Sequence, residues 1–300
     1  MAKIIGCMAL SHGPQLLMPP EKWQDLPDRV REPGPKRPAL EEELTLKVKQ
    51  MKFERCLEAM GVLRRQLEQW RPDVVVMVGD DQRENILEDN TPPFVIYTAG
   101  EVDATRKFHY LGESAIQQKR RFRVDESVAS VLVEGLMEAG FDPAWSRKTR
   151  YEGGLGHAFG RPLHFIMPGG DYPIVPVMVN TYYPPAPSAR RCFELGRALA
   201  ASLETCKAAD TAVVIGSGGL SHVRIDEELD QAFIKGIENY DRNYLMNMDS
   251  SVLMEGTSEL RNWILTAGAA DCQATVVDYV PCYRTNTGIG CAMGFAFWQC

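Results

Sequence analysis

Two histidines stand where strand-like segments end in turns of small residues. His12 follows the apolar run 4–10, within SHGP, and His222 follows the run 211–215, at the end of GSGGLSH. In α/β proteins, glycine-rich turns after strands commonly carry reactive side chains. An imidazole in such a turn suits metal ligation or general acid–base catalysis. The alternative is structural, with one histidine capping its strand and the other packing in a loop.

A cluster of oxygen-bearing side chains follows the apolar run VVVMV. The cluster contains Asp80, Asp81, Gln82 and Glu84. Such side chains at the end of a strand that is covered on both faces are suited to binding a cation. A solvated turn that caps the next element is the alternative, because aspartate is a favoured capping residue.

His157 lies in a third segment, GGLGHAFG, whose four glycines allow the backbone to approach a ligand closely. The segment lacks the strand–GxGxxG–helix context of a dinucleotide site, so we do not interpret it as one. A flexible loop is the alternative.

The remaining candidates have ordinary interpretations when each is taken alone. Glu259 lies in the first turn of the helix predicted over 258–267, where the helix dipole favours an acidic residue. His109 is interpreted as an ordinary residue, and His164, within an apolar run, as a packing residue.

Strand and helix patterns alternate along the chain, which indicates an α/β fold. Strand-like runs cover 4–10, 74–78, 94–97, 174–179, 211–215 and 274–280. Apolar stripes at helical spacing cover 53–70, 128–137, 193–203 and 258–267. We therefore predict one domain over 1–300, with a central, mostly parallel or mixed sheet that helices cover on both faces. The proline-rich stretch 19–38 is predicted to be a surface insertion or a lid.

Composition excludes several classes of protein. The 300 residues are 45% hydrophobic and 24% charged, which is typical of globular proteins, and the net charge of -7 argues against nucleic-acid binding. No apolar run has the length of a membrane span, and no secretory signal is recognisable. The eight cysteines form no CxxC pair, so we predict reduced thiols in a cytoplasmic protein.

Six motifs in a shared order extend over nearly the whole chain. They are SHGP at 11–14, GDDQ at 79–82, GHAFGRPL at 156–163, GGLSH at 218–222, ELRNWILTAGA at 259–269 and TGIGCAMGFAFW at 287–298. In this order and spacing the chain resembles the class III extradiol ring-cleavage dioxygenases, the family of the protocatechuate 4,5-dioxygenase β subunit. The resemblance implies meta cleavage of a catechol-type aromatic substrate with O₂, in aromatic catabolism.

The resemblance also implies roles for particular residues. Members of the family hold Fe(II) with two histidines and one glutamate. His12 is similar to the first iron ligand and Glu259 to the carboxylate ligand. His222 resembles the catalytic acid–base histidine, and His157 the other active-site histidine, which binds substrate or transfers protons.

One position departs from the family pattern. Gln82 stands where the second histidine ligand is expected, and Gly156 replaces an aspartate that often precedes the histidine at 157. Either the carbonyl oxygen of Gln82 completes the metal site, or Asp81 or Glu84 does, which would favour Fe(II) or Mn(II). Two other functions remain open: a non-oxygenase that binds metal or a partner, and a metal hydrolase that uses His12, Asp81 and Glu259.

The implied partners are an aromatic diol and O₂, without nucleic acid or membrane. The resemblance is compatible with a homo-oligomer and with a small partner subunit. Arg147, Arg150 and Arg161 flank the glycine-rich segment, where they either pair with a substrate carboxylate or lie on the surface.

Overall fold

A computed structural model describes residues 1–28, 30, 32, 34–107 and 117–299 of the chain. His109 and Cys300 lie outside these residues. The seven cysteines of the described ranges are thiols. Among the helices of these ranges, none combines the length and the apolar character that a bilayer crossing requires.

Eleven strands occur in the described residues. They are β1 (Lys3–Leu10), β2 (Val74–Asp80), β3 (Phe94–Tyr97), β4 (Glu101–Thr105), β5 (Lys119–Arg123), β6 (Ala144–Ser146), β7 (Ile174–Val179), β8 (Thr211–Ser217), β9 (His222–Arg224), β10 (Thr275–Tyr283) and β11 (Ile289–Trp298). All six strands predicted from the sequence are present, some of them longer than predicted.

Seven α-helices accompany the strands in the same residues. They are α1 (Leu46–Trp70), α2 (Glu126–Glu138), α3 (His157–Ile166), α4 (Ala189–Thr205), α5 (Glu227–Glu238), α6 (Arg242–Met246) and α7 (Leu260–Ala270). Short 3₁₀ helices include Pro20–Asp25 and Glu255–Glu259. The four predicted apolar stripes correspond to α1, α2, α4 and α7.

Nine of these eleven described strands form one mixed sheet, in the order β10–β11–β1–β8–β2–β7–β3–β6, with β9 paired to β11. The central strands β1, β8, β2 and β7 are parallel, whereas β11 runs antiparallel to both of its neighbours, β1 and β10. Strands β4 and β5 form a separate hairpin. The predicted α/β class is therefore confirmed, with the sheet mixed rather than mostly parallel.

Two apolar cores cover the two faces of the sheet. One contains the buried faces of α2, α4, α5 and α7, and the other contains those of α1 and α3. Strand β2 contributes alternate residues to each core, such as Val76 to the first and Met77 to the second. Burial on both faces explains why its sequence is apolar without alternation.

The parallel strands also determine where the site forms. The carboxyl ends of β1, β8 and β2 lie side by side, with Leu10 opposite Ser217 and Val78 opposite Gly216. Side chains that follow these strands therefore converge at one edge of the sheet.

Candidate metal centre and substrate pocket

His12 comes two residues after β1 and is held from the neighbouring strand. Its Nδ1 atom lies 2.7 Å from the hydroxyl oxygen of Ser217, and its Nε2 atom lies 3.6 Å from Oε2 of Glu259. Burial lowers the pKa of His12 to about 3, although the Glu259 carboxylate opposes the shift. The imidazole is therefore neutral near pH 7, which is the form that ligates a metal.

Glu259 lies at the junction between the last 3₁₀ helix and α7, at the centre of the cluster. Its Oε2 accepts a hydrogen bond from the backbone N–H of Gly219 at 2.7 Å. Its Oε1 accepts one from Nε2 of Gln82 at 3.0 Å and lies 3.2 Å from Nε2 of His222. Burial alone would raise the pKa of Glu259, but His222 and His12 hold it well below its ordinary value, so the group is a carboxylate.

Asp80, the last residue of β2, supplies the third ligand-type side chain. Ligand atoms of His12, Asp80 and Glu259 all lie within 4.8 Å of one another, and all three residues are buried. Burial, together with repulsion from Glu259, raises the pKa of Asp80 well above its ordinary value. One imidazole nitrogen and two carboxylates fit a divalent cation of intermediate hardness, which would offset the repulsion between the two acids.

Gln82 faces this centre with its amide nitrogen. The Nε2 atom donates to Oε1 of Glu259 at 3.0 Å and to Oδ2 of Asp80 at 3.3 Å. Both neighbours are hydrogen-bond acceptors, so the amide presents its donors to them. In this arrangement Gln82 bridges the two carboxylates.

Asp81 points into the following turn rather than toward the centre. Its two carboxylate oxygens accept hydrogen bonds from the backbone N–H groups of Glu84, Asn85 and Ile86 at 2.8–3.0 Å. Asp80, one of the four oxygen-bearing side chains noted in this segment but not among the alternatives considered for the missing histidine ligand, lies in the cluster instead. Its position at the carboxyl end of a buried parallel strand was the available signal.

His222 begins β9 and is the most accessible side chain of the group, with 17% of its surface exposed. Its Nδ1 lies 3.0 Å from the carbonyl oxygen of Leu220. Burial lowers the pKa of His222, but the charge and hydrogen bond of Glu259, the carbonyl of Leu220 and the charge of Asp230 together outweigh burial, so the net pKa is raised. A Cβ atom at Gly256 would overlap the imidazole ring, so the ring packs against bare backbone.

Asp230 on α5 anchors the loop that carries His222. Its carboxylate accepts hydrogen bonds from the backbone N–H and the hydroxyl of Ser221, both at 2.7 Å, and from the hydroxyl of Tyr279 at 2.8 Å. The group is fully buried, and desolvation raises its pKa to about 6 despite these bonds.

The raised pKa of Asp230 makes stability depend on pH. Between its ordinary value of 3.8 and about 6, the folded chain binds a proton that the unfolded chain has lost, so this group's contribution to stability falls as pH rises through that window. As the pH rises from 4 to 7, the free energy of unfolding of the wild type should fall by up to about 3 kcal/mol more than that of the Asp230→Asn variant. Urea unfolding of both proteins at pH 4 and pH 7 measures the difference, and an equal pH dependence in both would contradict it.

His157 is the first residue of α3, so the glycine-rich segment is a helix start rather than a flexible loop. The Nδ1 atom of His157 lies 2.9 Å from Oε1 of Glu84, which also accepts the backbone N–H of His157 at 3.1 Å. Both side chains are fully buried. The ring of His157 contacts that of His12 edge-on, with centroids 5.1 Å apart. The site therefore contains all three histidines singled out from the sequence.

Residues 6–291 match the family described as the catalytic LigB subunit of aromatic ring-opening dioxygenases. The chain belongs to this family. A 2,3-dihydroxyphenylpropionate/2,3-dihydroxicinnamic acid 1,2-dioxygenase of Pseudomonas putida is 31% identical over 166 residues, 55% of this chain and 48% of that protein. Similarly named dioxygenases of Klebsiella pneumoniae and Paraburkholderia xenovorans are 28% and 32% identical over 55% and 50% of this chain, and 49% and 43% of theirs.

The matched part of this LigB-family chain spans about half the length of these curated relatives. The resemblance inferred from the six motifs is confirmed, since the match to the family covers nearly all of them. Dioxygenases of this family depend on a metal, and the cluster of His12, Asp80 and Glu259 is a candidate site for one in this chain.

A pocket opens beside the candidate metal centre of this LigB-family chain. It is lined by His12, His157, His222, Glu259 and Gln82, together with Arg161, Tyr182, Arg284, Cys291 and residues 26–27 of the predicted insertion or lid.

The arginines predicted near the glycine-rich segment divide into two groups. Arg161 is buried and lines the pocket, where it donates to the carbonyl oxygens of His12 at 2.7 Å and Arg106 at 2.8 Å. Arg147 and Arg150 lie on the surface, paired with Glu126 and Asp89. Arg284, which we did not select from the sequence, is the second arginine of the pocket.

Proposed function

We propose that this chain catalyses extradiol cleavage of a catechol-type substrate with O₂ at the centre formed by His12, Asp80 and Glu259. The observation that carries the proposal is that two members of this donor set, His12 and Glu259, line one pocket together with His222 and His157. Fe(II) is the metal we propose, with Mn(II) as the alternative, because one nitrogen and two oxygens suit both. When bound, the metal supplies Lewis acidity toward the catechol hydroxyls and a site for O₂.

His222 is the acid–base group of the proposal. Its pKa is raised, because Glu259, the carbonyl of Leu220 and Asp230 together outweigh the effect of burial, and a raised pKa favours proton uptake by the imidazole. It lies at the accessible end of the cluster, where a substrate hydroxyl can reach it. We propose that it accepts a proton from that hydroxyl and returns it as the ring opens.

The test of the proposed function combines metal content with oxygen uptake. Protein is purified without air, loaded with Fe(II) or Mn(II), and offered catechols, gallates and aminophenols. We expect about one metal per chain and O₂ consumption that depends on the diol, with a yellow ring-opened product. Bound metal without O₂ uptake for any diol would contradict the proposal, and O₂-independent turnover would indicate a hydrolase.

We further propose that the substrate carries a carboxylate on its ring substituent, as the named substrates of the relatives do. Arg284 lines the pocket with 9% of its side chain exposed. Its guanidinium donates to the carbonyl oxygen of Leu26 at 2.6 Å and to Asp28 at 3.0 Å. A guanidinium has five N–H donors, so it can also bind a carboxylate that enters the pocket.

Replacing Arg284 with glutamine should raise KM for a carboxylated catechol roughly 10- to 100-fold, which is the value of a charge-assisted hydrogen bond. KM for an uncharged alkyl catechol should change little. Steady-state kinetics on the two substrates gives the ratio. Arg150→Gln is the matched control, because Arg150 forms a similar pair with Asp89 outside this pocket. An equal rise in KM for both substrates would show that Arg284 only anchors residues 26–28.

A further inference from the structure

The carboxylate that contacts His157 belongs to Glu84, which is distant from His157 in sequence. The residue before His157 is Gly156, which has no side chain to offer. Glu84 reaches across from the loop after β2, 73 positions earlier, and meets both the backbone N–H and Nδ1 of His157.

Position 156 requires glycine because Glu84 occupies the space of a side chain there, and not because of the backbone conformation of residue 156. Its φ of -69° and ψ of -176° are extended values that any residue adopts. A Cβ atom at position 156, however, would overlap Oε2 of Glu84. The carboxyl group of Glu84 therefore occupies the space that a side chain at position 156 would otherwise fill.

The loop that presents Glu84 is held from both sides. Asp81 accepts the backbone N–H groups of residues 84–86, which fixes the turn. Asn85 donates to the carbonyl oxygen of Gly154 at 3.1 Å and accepts the backbone N–H of Arg150 at 2.9 Å. These bonds tie the loop after β2 to the loop before α3, so Glu84 has a fixed position relative to His157.

We propose that Glu84 is the positioning residue of His157, and that positions 84 and 156 are two interchangeable sources of one carboxylate. A carboxylate at Nδ1 keeps the proton on that nitrogen and leaves the lone pair on Nε2. Nε2 is then the atom that meets substrate in the pocket that His157 lines. The catalytic consequence rests on the proposed ring cleavage, whereas the tautomer does not.

Nitrogen-15 NMR of the histidine rings tests the tautomer in the metal-free chain. His157→Gln identifies the signals of His157 by their loss. We expect a single tautomer with the proton on Nδ1 in the wild type and a mixture of tautomers in Glu84→Ala. Asp89→Asn is the matched control, because it removes an exposed carboxylate of the same loop and should leave the spectrum unchanged. Identical His157 shifts in the wild type and Glu84→Ala would overturn the proposal.

A second variant keeps the test decisive if Glu84→Ala does not fold. Glu84→Gln conserves the volume and removes the charge, so it should shift the Nδ1 resonance as the hydrogen bond weakens. Unchanged Nδ1 shifts in this variant would also overturn the proposal.

Rescue tests the interchange of positions. Gly156→Asp alone should perturb the site, because the new side chain overlaps Glu84. The double variant Glu84→Ala with Gly156→Asp should regain the wild-type tautomer and at least about one tenth of wild-type kcat, whereas Glu84→Ala alone should lose roughly 100-fold. A double variant as impaired as Glu84→Ala would overturn the interchange. A wild type that cleaves no catechol but shows the expected tautomers would reject the proposed function alone.

Discussion

Replacing Asp80 with asparagine is expected to remove the bound divalent metal and, with it, O₂ uptake. The carboxylate of Asp80 is one of three ligand-type side chains whose atoms lie within 4.8 Å of one another. The amide lacks the charge that balances a divalent cation. Loss of a hydrogen bond to a metal ligand typically lowers metal affinity by about 10- to 100-fold, so loss of the ligand charge itself should lower metal affinity by at least about 100-fold. Calorimetric titration of the metal-free chain with Mn²⁺ measures the affinity.

Asp81→Asn is the matched control for this prediction. Asp81 is the next residue, but both of its oxygens accept backbone N–H groups of the turn. The variant should lower the free energy of unfolding while metal affinity stays within a few-fold of the wild type. The reverse result, with metal lost in Asp81→Asn and kept in Asp80→Asn, would assign the ligand to Asp81, as one interpretation of the sequence had it.

Replacing His222 with alanine is expected to cause a large loss of turnover. Turnover should fall by about 10²- to 10⁴-fold, which is the range of a lost general acid–base group. His222 is not one of the three residues of the candidate metal cluster, so metal affinity and anaerobic catechol binding should remain within a few-fold of the wild type. Stopped-flow kinetics gives the turnover, and titration of the metal-loaded chain with catechol gives the binding.

The matched control is His164→Ala. His164 is a residue of α3 that contacts Arg106, and it does not line the pocket beside the candidate metal centre. The His164→Ala variant should keep wild-type turnover, because the sequence predicts that His164 is a packing residue. If His222→Ala kept full activity, the acid–base role would have to move to His157.

Much of the fold was predictable because local patterns persist in the native chain. The run VVVMV is buried on both faces in β2, and the stripes over 53–70 and 193–203 face the two cores. Strand β11 was missed, since IGCAMGFAFW mixes small and aromatic residues without a clear period. It lies between β1 and β10, so pairing with its neighbours, and not its own propensity, determines its conformation.

By itself, the sequence determined the family and placed His12, His157, His222 and Glu259 in one site, because the order of the motifs is characteristic of the family. Only the tertiary structure decided which carboxylate lies beside His12 and Glu259. Asp80 and Asp81 are adjacent, but successive side chains at the end of a strand point in opposite directions, and the turn that captures Asp81 closes only in the folded chain.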